Sequence, residues 1–148
     1  MMMLHEKFTN YKSMAGESVF SDLVPDYIKN NINPNFEMRP YQKEAFGRFE
    51  YYLDSYPNKP KNKPINVLFH MATGSGKTLI MAGEILTLYK RGYRNFLFFV
   101  NSTNIIKKTK ENFLNKASSK YLFSDIINID GEQVRVREVD NFASNNSD

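Results

Sequence analysis

Residues 70–78 contain the residue types that hold phosphate groups in proteins. Within this stretch, Gly74 and Gly76 stand just before Lys77 and Thr78. Glycines allow backbone conformations in which successive N–H groups point inward and bind phosphate oxygens. A lysine at this spacing reaches the terminal phosphates of a nucleotide, and the following hydroxyl is a ligand for Mg²⁺. The pattern therefore predicts a phosphate site formed by Thr73, Gly74, Ser75, Gly76, Lys77 and Thr78, with Mg²⁺ on Thr78.

The flanking sequence supplies the elements that would position this loop. The apolar run 65–69 predicts a strand buried on both faces, and the segment after Thr78 predicts a helix that ends near Arg91, before Gly92. A strand, a glycine loop and a helix in this order are the context of a P-loop, although Met71 stands where the usual pattern has glycine. The alternative is an ordinary loop that contains glycines.

The next apolar run, residues 95–100, predicts a second buried strand. Asn101, Ser102 and Thr103 would end that strand and cap a third helix. Strand, helix and strand at this spacing form a βαβ unit, which implies a parallel sheet. We therefore expect an α/β fold, part of a three-layer α/β/α sandwich, with the nucleotide at the carboxyl edge of a mainly parallel sheet.

A helix upstream of the loop is predicted to begin near Pro40 and to end at Pro57. Its apolar face is predicted from residues at three- and four-residue spacing, namely Tyr41, Ala45, Phe49, Tyr52 and Tyr56. Short helical pieces are expected at 17–24 and 26–29. Residues 58–64 predict a polar surface loop that acts as a connector.

Composition limits the class of protein. The chain has 148 residues, 41% hydrophobic residues and a net charge of +4, which are typical of one soluble globular domain with a mildly basic surface. There is no cysteine, signal peptide or apolar run long enough to cross a bilayer, and a cytoplasmic location fits. We expect a helical or irregular N-terminal segment at 1–35, the first part of a P-loop nucleotide-binding lobe at 36–142 and a disordered tail at 143–148.

Arg39 and Gln42 form a second candidate site on the helix that begins near Pro40. The Gln42 amide has one donor and one acceptor, which can pair with the N7 and N6 edge of adenine. The flat Arg39 guanidinium can stack on the purine. Because a nucleotide needs its base held as well as its phosphates, we predict that both residues bind adenine. A polar helix face turned to solvent is the alternative.

These stretches together resemble the start of a superfamily 2 helicase-type motor. Residues 39–45, which begin with Arg-Pro-Tyr-Gln, resemble the glutamine motif, and residues 71–78 resemble motif I. Residues 98–106 lie where motif Ia would fall. The Met-Ala-Thr-Gly form of motif I and the Phe-Val-Asn-Ser strand end most resemble the Res subunits of type III restriction–modification enzymes.

The resemblance implies a RecA-like lobe that binds ATP and Mg²⁺ in a protein that translocates on double-stranded DNA. It places Asn101, Ser102 and Thr103 on the face that tracks the nucleic-acid backbone, although helix capping explains these residues equally well. It also implies a DNA-modification (methyltransferase) subunit as a partner. Helicase, restriction endonuclease and hydrolase activity are properties of the parent protein.

One part of the family pattern is missing from this sequence. Motif II, an Asp-Glu-x-His sequence that holds magnesium and orients the attacking water, does not occur. The nearest mimic is Asp130, but Asp130-Gly131 is better explained as the turn of a hairpin. We therefore expect the N-terminal part of a motor, truncated before motif II, that hydrolyses ATP poorly or not at all.

Two other classes of function stay open at this point. The chain could be a small stand-alone P-loop nucleotide-binding protein or kinase. It could also be a non-catalytic nucleic-acid-binding module that uses lysine faces such as Lys107, Lys108 and Lys110. The two histidines, His5 and His70, have no spacing that predicts a metal pair.

Overall fold

Helices account for most of the regular structure in this computed structural model, which describes residues 2–61 and 63–139. The order along the chain is α1 (Leu4–Ala15), a 3₁₀ turn (Ser21–Leu23), α2 (Asp26–Lys29), α3 (Pro40–Asp54), α4 (Lys77–Lys90), α5 (Thr103–Leu114), β1 (Ile127–Ile129) and β2 (Glu132–Val134). The described residues thus form an α/β structure in which the helices carry the core.

Helices α3 and α4 form the centre of the main core. Phe46 of α3 is fully buried, and a Cβ atom at Gly83 of α4 would lie 2.2 Å from its ring. Only glycine therefore lets the two helices approach this closely. The predicted start of α3 at Pro40 is confirmed, but the predicted face is partly wrong, because Tyr41 is exposed and Phe46 was not included. The spacing of the aromatic residues is compatible with either of two faces of α3 being buried. Packing against α4 buries the face that contains Phe46.

A buried polar network fastens α4 to the helices beside it. The Glu50 carboxylate accepts hydrogen bonds from Thr87 at 2.7 Å and from the Tyr27 hydroxyl at 2.9 Å. Arg91, at the end of α4, donates to Glu50 at 3.0 Å and to Asp54 at 2.8 and 2.9 Å. Buried carboxylates are costly unless they are paired in this way. The network therefore fixes the helix that follows the glycine loop against α2 and α3.

The N-terminal segment is more regular than the sequence analysis predicted. Helix α1 was not predicted, and it adds an aromatic cluster to the outer side of α3. Phe8 packs against Phe20, Tyr51 and Tyr56 with ring centroids 5.5 to 5.6 Å apart. Of the short pieces expected before residue 30, the structure forms the 3₁₀ turn and α2.

The predicted hairpin at Asp130-Gly131 is confirmed. Strand β1 pairs antiparallel with β2, and the two turn residues both have positive φ, 56° and 87°. Positive φ at both positions is the geometry of a two-residue type I′ turn, for which Asp-Gly is a preferred sequence. The second strand of the hairpin is short and covers Glu132–Val134.

The two strands predicted at 65–69 and 95–100 do not form within the described residues, and neither does the parallel sheet. Both segments lack backbone–backbone hydrogen bonds to the rest of the described chain. Their apolar side chains are largely exposed, with Leu68 at 87% and Phe99 at 84%. A β-strand forms only when a neighbouring strand pairs with its backbone. The apolar runs predicted burial, but they did not indicate which segment would supply the neighbouring strand. The sheet of the described residues is the β1–β2 hairpin.

Two further expectations concern membrane segments and the tail. In the part of the chain that the structure describes, no helix is long and apolar enough to cross a membrane. The tail expected at 143–148 lies outside the described residues.

Candidate functional site

The glycine loop leads directly into α4, as the sequence predicted. Gly76 is the N-cap of α4 and has a left-handed backbone with φ of 87°, while Gly74 has φ of 79°. A side chain would strain the backbone at both positions. The Ser75 amide donates to the Ala72 carbonyl at 3.2 Å, which closes a turn in the loop. The conformation thus depends on the two glycines that the motif supplies.

The Lys77 ammonium lies inside the curve of this loop. It donates to the carbonyls of Met71 at 3.1 Å and Ala72 at 2.9 Å, and its side chain stays exposed. The positive charge of Lys77 is therefore held beside the loop, at a position that an anion can approach. The absence of glycine at position 71 does not disturb this arrangement, because Met71 contributes its backbone carbonyl.

The amides at the start of α4 are the groups that would bind phosphate oxygens. Among the described residues, the N–H groups of Gly74, Gly76, Lys77 and Thr78 have no acceptor. Free amides at a helix N-terminus carry a partial positive charge and bind anions. With the lysine beside them, these residues fit the phosphates of a nucleotide. The Thr78 hydroxyl also has no protein partner in the described part of the chain and fits a magnesium ligand.

Gln42 joins α3 to the glycine loop. Its Nε2 donates to the Ser75 carbonyl at 2.9 Å, and its Oε1 accepts from the Arg39 amide at 2.9 Å. The side chain is only 5% exposed, and a Cβ atom at Gly76 would lie 2.4 Å from its Nε2. Both ends of the amide thus bond to the chain itself, and each end keeps one further hydrogen-bonding site, a second N–H on Nε2 and a second lone pair on Oε1.

Arg39 and Tyr41 lie on the exposed side of this contact between α3 and the loop. We call the contact, formed by Tyr41, Gln42 and loop residues 72–78, the P-loop corner. The Arg39 guanidinium donates to the Tyr41 hydroxyl at 3.2 Å, and that hydroxyl donates to the Ser75 carbonyl at 3.1 Å. The structure therefore brings both predicted adenine residues next to the loop. Tyr41 was assigned to the apolar face, and its contact with the loop was missed. Its position beside Gln42, in the first turn of a helix that faces a P-loop, is the signal that could have indicated this contact.

Glu84 is a second residue that the sequence analysis did not single out. It lies two turns along α4 from Lys77, and both carboxyl oxygens are buried with no hydrogen-bond partner among the described residues. The pKa of Glu84 is raised to about 9, mainly by burial and also by the nearby Glu50 charge, while Arg91 opposes the shift. Glu84 is therefore held in its neutral form at pH 7.

The residues predicted to follow the nucleic-acid backbone lie at the start of α5. Ser102 is the N-cap of α5, with no hydrogen bond from its side chain, and Asn101 and Thr103 are exposed. The predicted helix start is confirmed. Side-chain capping of α5 was the alternative explanation for these residues. The structure shows no side-chain capping hydrogen bond at Ser102.

Asp130, the nearest mimic of a motif II carboxylate in the sequence, does not lie beside the loop. Asp130 occupies the hairpin turn and forms an ion pair with Lys90, at the opposite end of α4 from Lys77. A helix of this length separates its ends by about 20 Å, so Asp130 cannot contact a cation at Thr78. No cluster of three metal-binding side chains occurs in residues 2–61 and 63–139.

The glycine turn, the central lysine and the helix start define an α/β protein with a P-loop. The family model described as "Type III restriction enzyme, res subunit" matches residues 35–147. The chain therefore belongs to this family.

A curated relative supports this assignment. The chain is 39% identical over 126 residues to a Haemophilus influenzae protein described as "Probable type III restriction-modification enzyme HindVIP Res subunit". The match covers 81% of this chain and 24% of the relative, so the chain spans about a quarter of that protein's length. No solved structure matches the chain.

Proposed function

We propose that the chain is the ATP-binding N-terminal part of a DNA-translocating Res subunit. Gly74, Ser75, Gly76 and Lys77, together with Thr73, would hold the phosphates, and Thr78 would hold Mg²⁺. The observation that carries the proposal is the Lys77 ammonium beside a row of backbone amides with no acceptor in the described chain. Together these groups complement the charge of a nucleoside triphosphate.

Adenine would be held by Arg39 and Gln42. Arg39 is exposed, and its flat guanidinium would stack on the base. Gln42 would offer the further hydrogen-bonding site at each end of its amide to the adenine edge. Because the amide also bonds to the Ser75 carbonyl, the same side chain would couple base recognition to the conformation of the loop.

The activity of the parent protein belongs to this proposal as well. Translocation on double-stranded DNA, restriction and assembly with a modification subunit are consistent with the name of the relative. Asn101, Ser102 and Thr103 would contact the DNA backbone through hydroxyl, amide and helix N-terminal groups. We expect this chain alone to bind ATP but to hydrolyse it poorly, because its sequence contains no motif II to hold magnesium and orient water.

The test is equilibrium binding of a fluorescent ATP analogue with Mg²⁺ to the wild-type chain and to Lys77→Ala. We expect Lys77→Ala to weaken binding by about 100-fold, because it removes the charge that faces the phosphates. Lys107→Ala is the matched control, since Lys107 is an exposed lysine on α5. Its affinity should match the wild type.

Two results would contradict the proposal. Equal affinity of Lys77→Ala and the wild type for the ATP analogue would show that the P-loop does not bind the nucleotide. Robust DNA-stimulated ATP turnover by the chain alone, abolished in Lys77→Ala, would overturn the expectation that hydrolysis needs groups from elsewhere.

A further inference from the structure

The segment that ends the β1–β2 hairpin alternates valine with arginine. Val134 and Val136 are half-buried and pack against the main core, whereas Arg135 and Arg137 are exposed. This alternation is that of an extended segment, on which side chains two residues apart lie on one face, about 7 Å from each other. Neither guanidinium has a hydrogen bond or an ion pair among the described residues. Each arginine can therefore contact an anion of its own.

A hollow of about 240 Å³ lies between this segment and the end of α5. Its polar lining consists of Lys116, Tyr121 and Arg135, and its apolar lining consists of Leu114, Ile127, Val134 and Val136. Lys116 and Arg135 are exposed, while Ile127 is buried. The hollow thus has two positive charges at its rim and an apolar floor. In the part of the chain that the structure describes, no acidic side chain lines it.

The positive charge of this surface is not neutralised by its neighbours. Asp130 and Glu138, which lie near it in sequence, are each held in an ion pair with a lysine. Lys116 donates to the backbone carbonyl of Asp125, a contact that leaves its charge in place. A complementary ligand has several negative charges joined by less polar units. The phosphates and sugars of a nucleic-acid backbone have this chemistry, and guanidinium groups bind phosphate through two parallel hydrogen bonds.

Helix α5 joins this surface to the residues already expected to contact DNA. Ser102 and Thr103 lie at the start of α5, and Lys116 follows its end. Lys107 and Lys108 are exposed on the helix between the two ends. The helix has 12 residues and is about 18 Å long, which is the length of about five base pairs of duplex DNA. One duplex that follows α5 can therefore reach both ends.

We propose that Lys116, Arg135 and Arg137 form a second DNA-binding surface, the hairpin surface, which holds the phosphate backbone of a duplex. One phosphate lies between Lys116 and Arg135, and its sugar packs on the apolar floor of the hollow. The next phosphate contacts Arg137. The inference rests on the proposed function for its partner, the DNA, but it uses none of the residues assigned there. Contacts of this kind fix the position of the duplex without reading its sequence.

The experiment measures binding of the chain to a fluorescent duplex of about 20 base pairs, by anisotropy over a series of salt concentrations. The test variant is Arg135→Gln with Arg137→Gln. The matched control is Lys43→Gln with Lys61→Gln, which removes the same amount of charge from exposed side chains outside the hairpin surface. A third variant, Arg135→Lys with Arg137→Lys, keeps the charge.

We expect the test variant to bind the duplex about 10- to 100-fold more weakly than the wild type. The slope of log affinity against log salt should become shallower by about two, because two phosphate contacts are lost. The control should keep the wild-type slope, and the lysine variant should retain most of the affinity. All variants should keep the wild-type circular dichroism spectrum, because the substituted side chains are exposed.

Three results would overturn the proposal. The first is the absence of duplex binding by the wild-type chain, and the second is an equal loss of affinity in the test and control variants. The third is wild-type affinity of the test variant for the duplex; if Ser102→Ala with Thr103→Ala then weakens binding, only the start of α5 contacts DNA. The test variant should bind the ATP analogue like the wild type, so failure of the hairpin surface is distinguishable from failure of the nucleotide site.

Discussion

The P-loop corner and an open cleft lie on the same helix, yet they are organised to very different extents. The cleft is lined by segments 65–69 and 95–100 and by one side of α4 and α5. At the corner, loop residues 72–78, Gln42 and Tyr41 make a connected set of hydrogen bonds between 2.7 and 3.2 Å. At the cleft, segments 65–69 and 95–100 have no backbone pairing in the described chain. Turns and helix starts are completed by neighbours in sequence, whereas strands need partners that come from elsewhere.

The largest expected difference is in stability. Phe46→Ala should lower the free energy of unfolding by about 3–5 kcal/mol, because it empties the contact between α3 and α4. Phe99→Ala, in the cleft, should change it by less than about 0.5 kcal/mol, because the side chain is already exposed. Urea unfolding followed by circular dichroism measures both. A similar loss of unfolding free energy for the two variants would contradict the contrast between an organised corner and an open cleft.

A pH series on Glu84→Gln tests whether Glu84 is neutral in the folded chain. Glu84 lies on α4, the helix that the two regions share. The folded chain keeps a proton on Glu84 up to a pKa of about 9, whereas the unfolded chain releases it near 4.5. Wild-type stability should therefore fall as pH rises between these values, and the variant, which cannot ionise, should escape this loss. The difference in unfolding free energy should grow with pH by up to about 1.4 kcal/mol per pH unit. Parallel profiles from pH 5 to 8 would show that Glu84 is not held neutral.

Gly76→Ala tests how closely the loop geometry is fixed. The added Cβ would lie 2.4 Å from the Gln42 Nε2 on a backbone with φ of 87°, so Gln42 must move and the backbone is strained. We expect ATP affinity to fall by about 10- to 100-fold. Gly16→Ala is the matched control, since Gly16 also has a positive φ but nothing within 4 Å, and its ATP affinity should be unchanged. Equal affinities for both variants would contradict a fixed loop.

The smallest effect is expected for Gln42→Ala in competition between ATP and GTP. If Gln42 reads adenine, ATP affinity should fall by about 10-fold while GTP affinity changes little. Competition titrations against a fluorescent nucleotide measure both. An equal loss for ATP and GTP would instead assign Gln42 to positioning the loop through Ser75.

The local features of the fold could be predicted from sequence, and the reason is visible in particular residues. Gly76 before Lys77, Pro40 at a helix start, and Asp130-Gly131 in a two-residue turn each determine backbone geometry by themselves, and all three predictions are confirmed. Helix α1 was missed although Phe8 and Tyr11 have helical spacing, because the polar residues between them favour several conformations.

The incorrect predictions concern contacts between distant parts of the chain. The apolar composition of residues 95–100 predicted a buried strand, but these side chains are largely exposed in the structure, because a strand also needs a pairing neighbour. No sequence pattern indicated that Gln42 would use both ends of its amide within the chain, because that arrangement depends on the approach of α3 to the loop. The type of each site residue was thus predictable, while its bonding in the folded chain was not.

Hydrogen exchange of the isolated chain, with and without Mg·ATP, tests the central claim that this part of a Res-type protein binds nucleotide through its own residues. We expect ATP to slow exchange of the amides at 72–80 by at least about 10-fold, while residues 95–100 exchange rapidly in both states. Unchanged exchange at 72–80 under saturating Mg·ATP would contradict the claim directly.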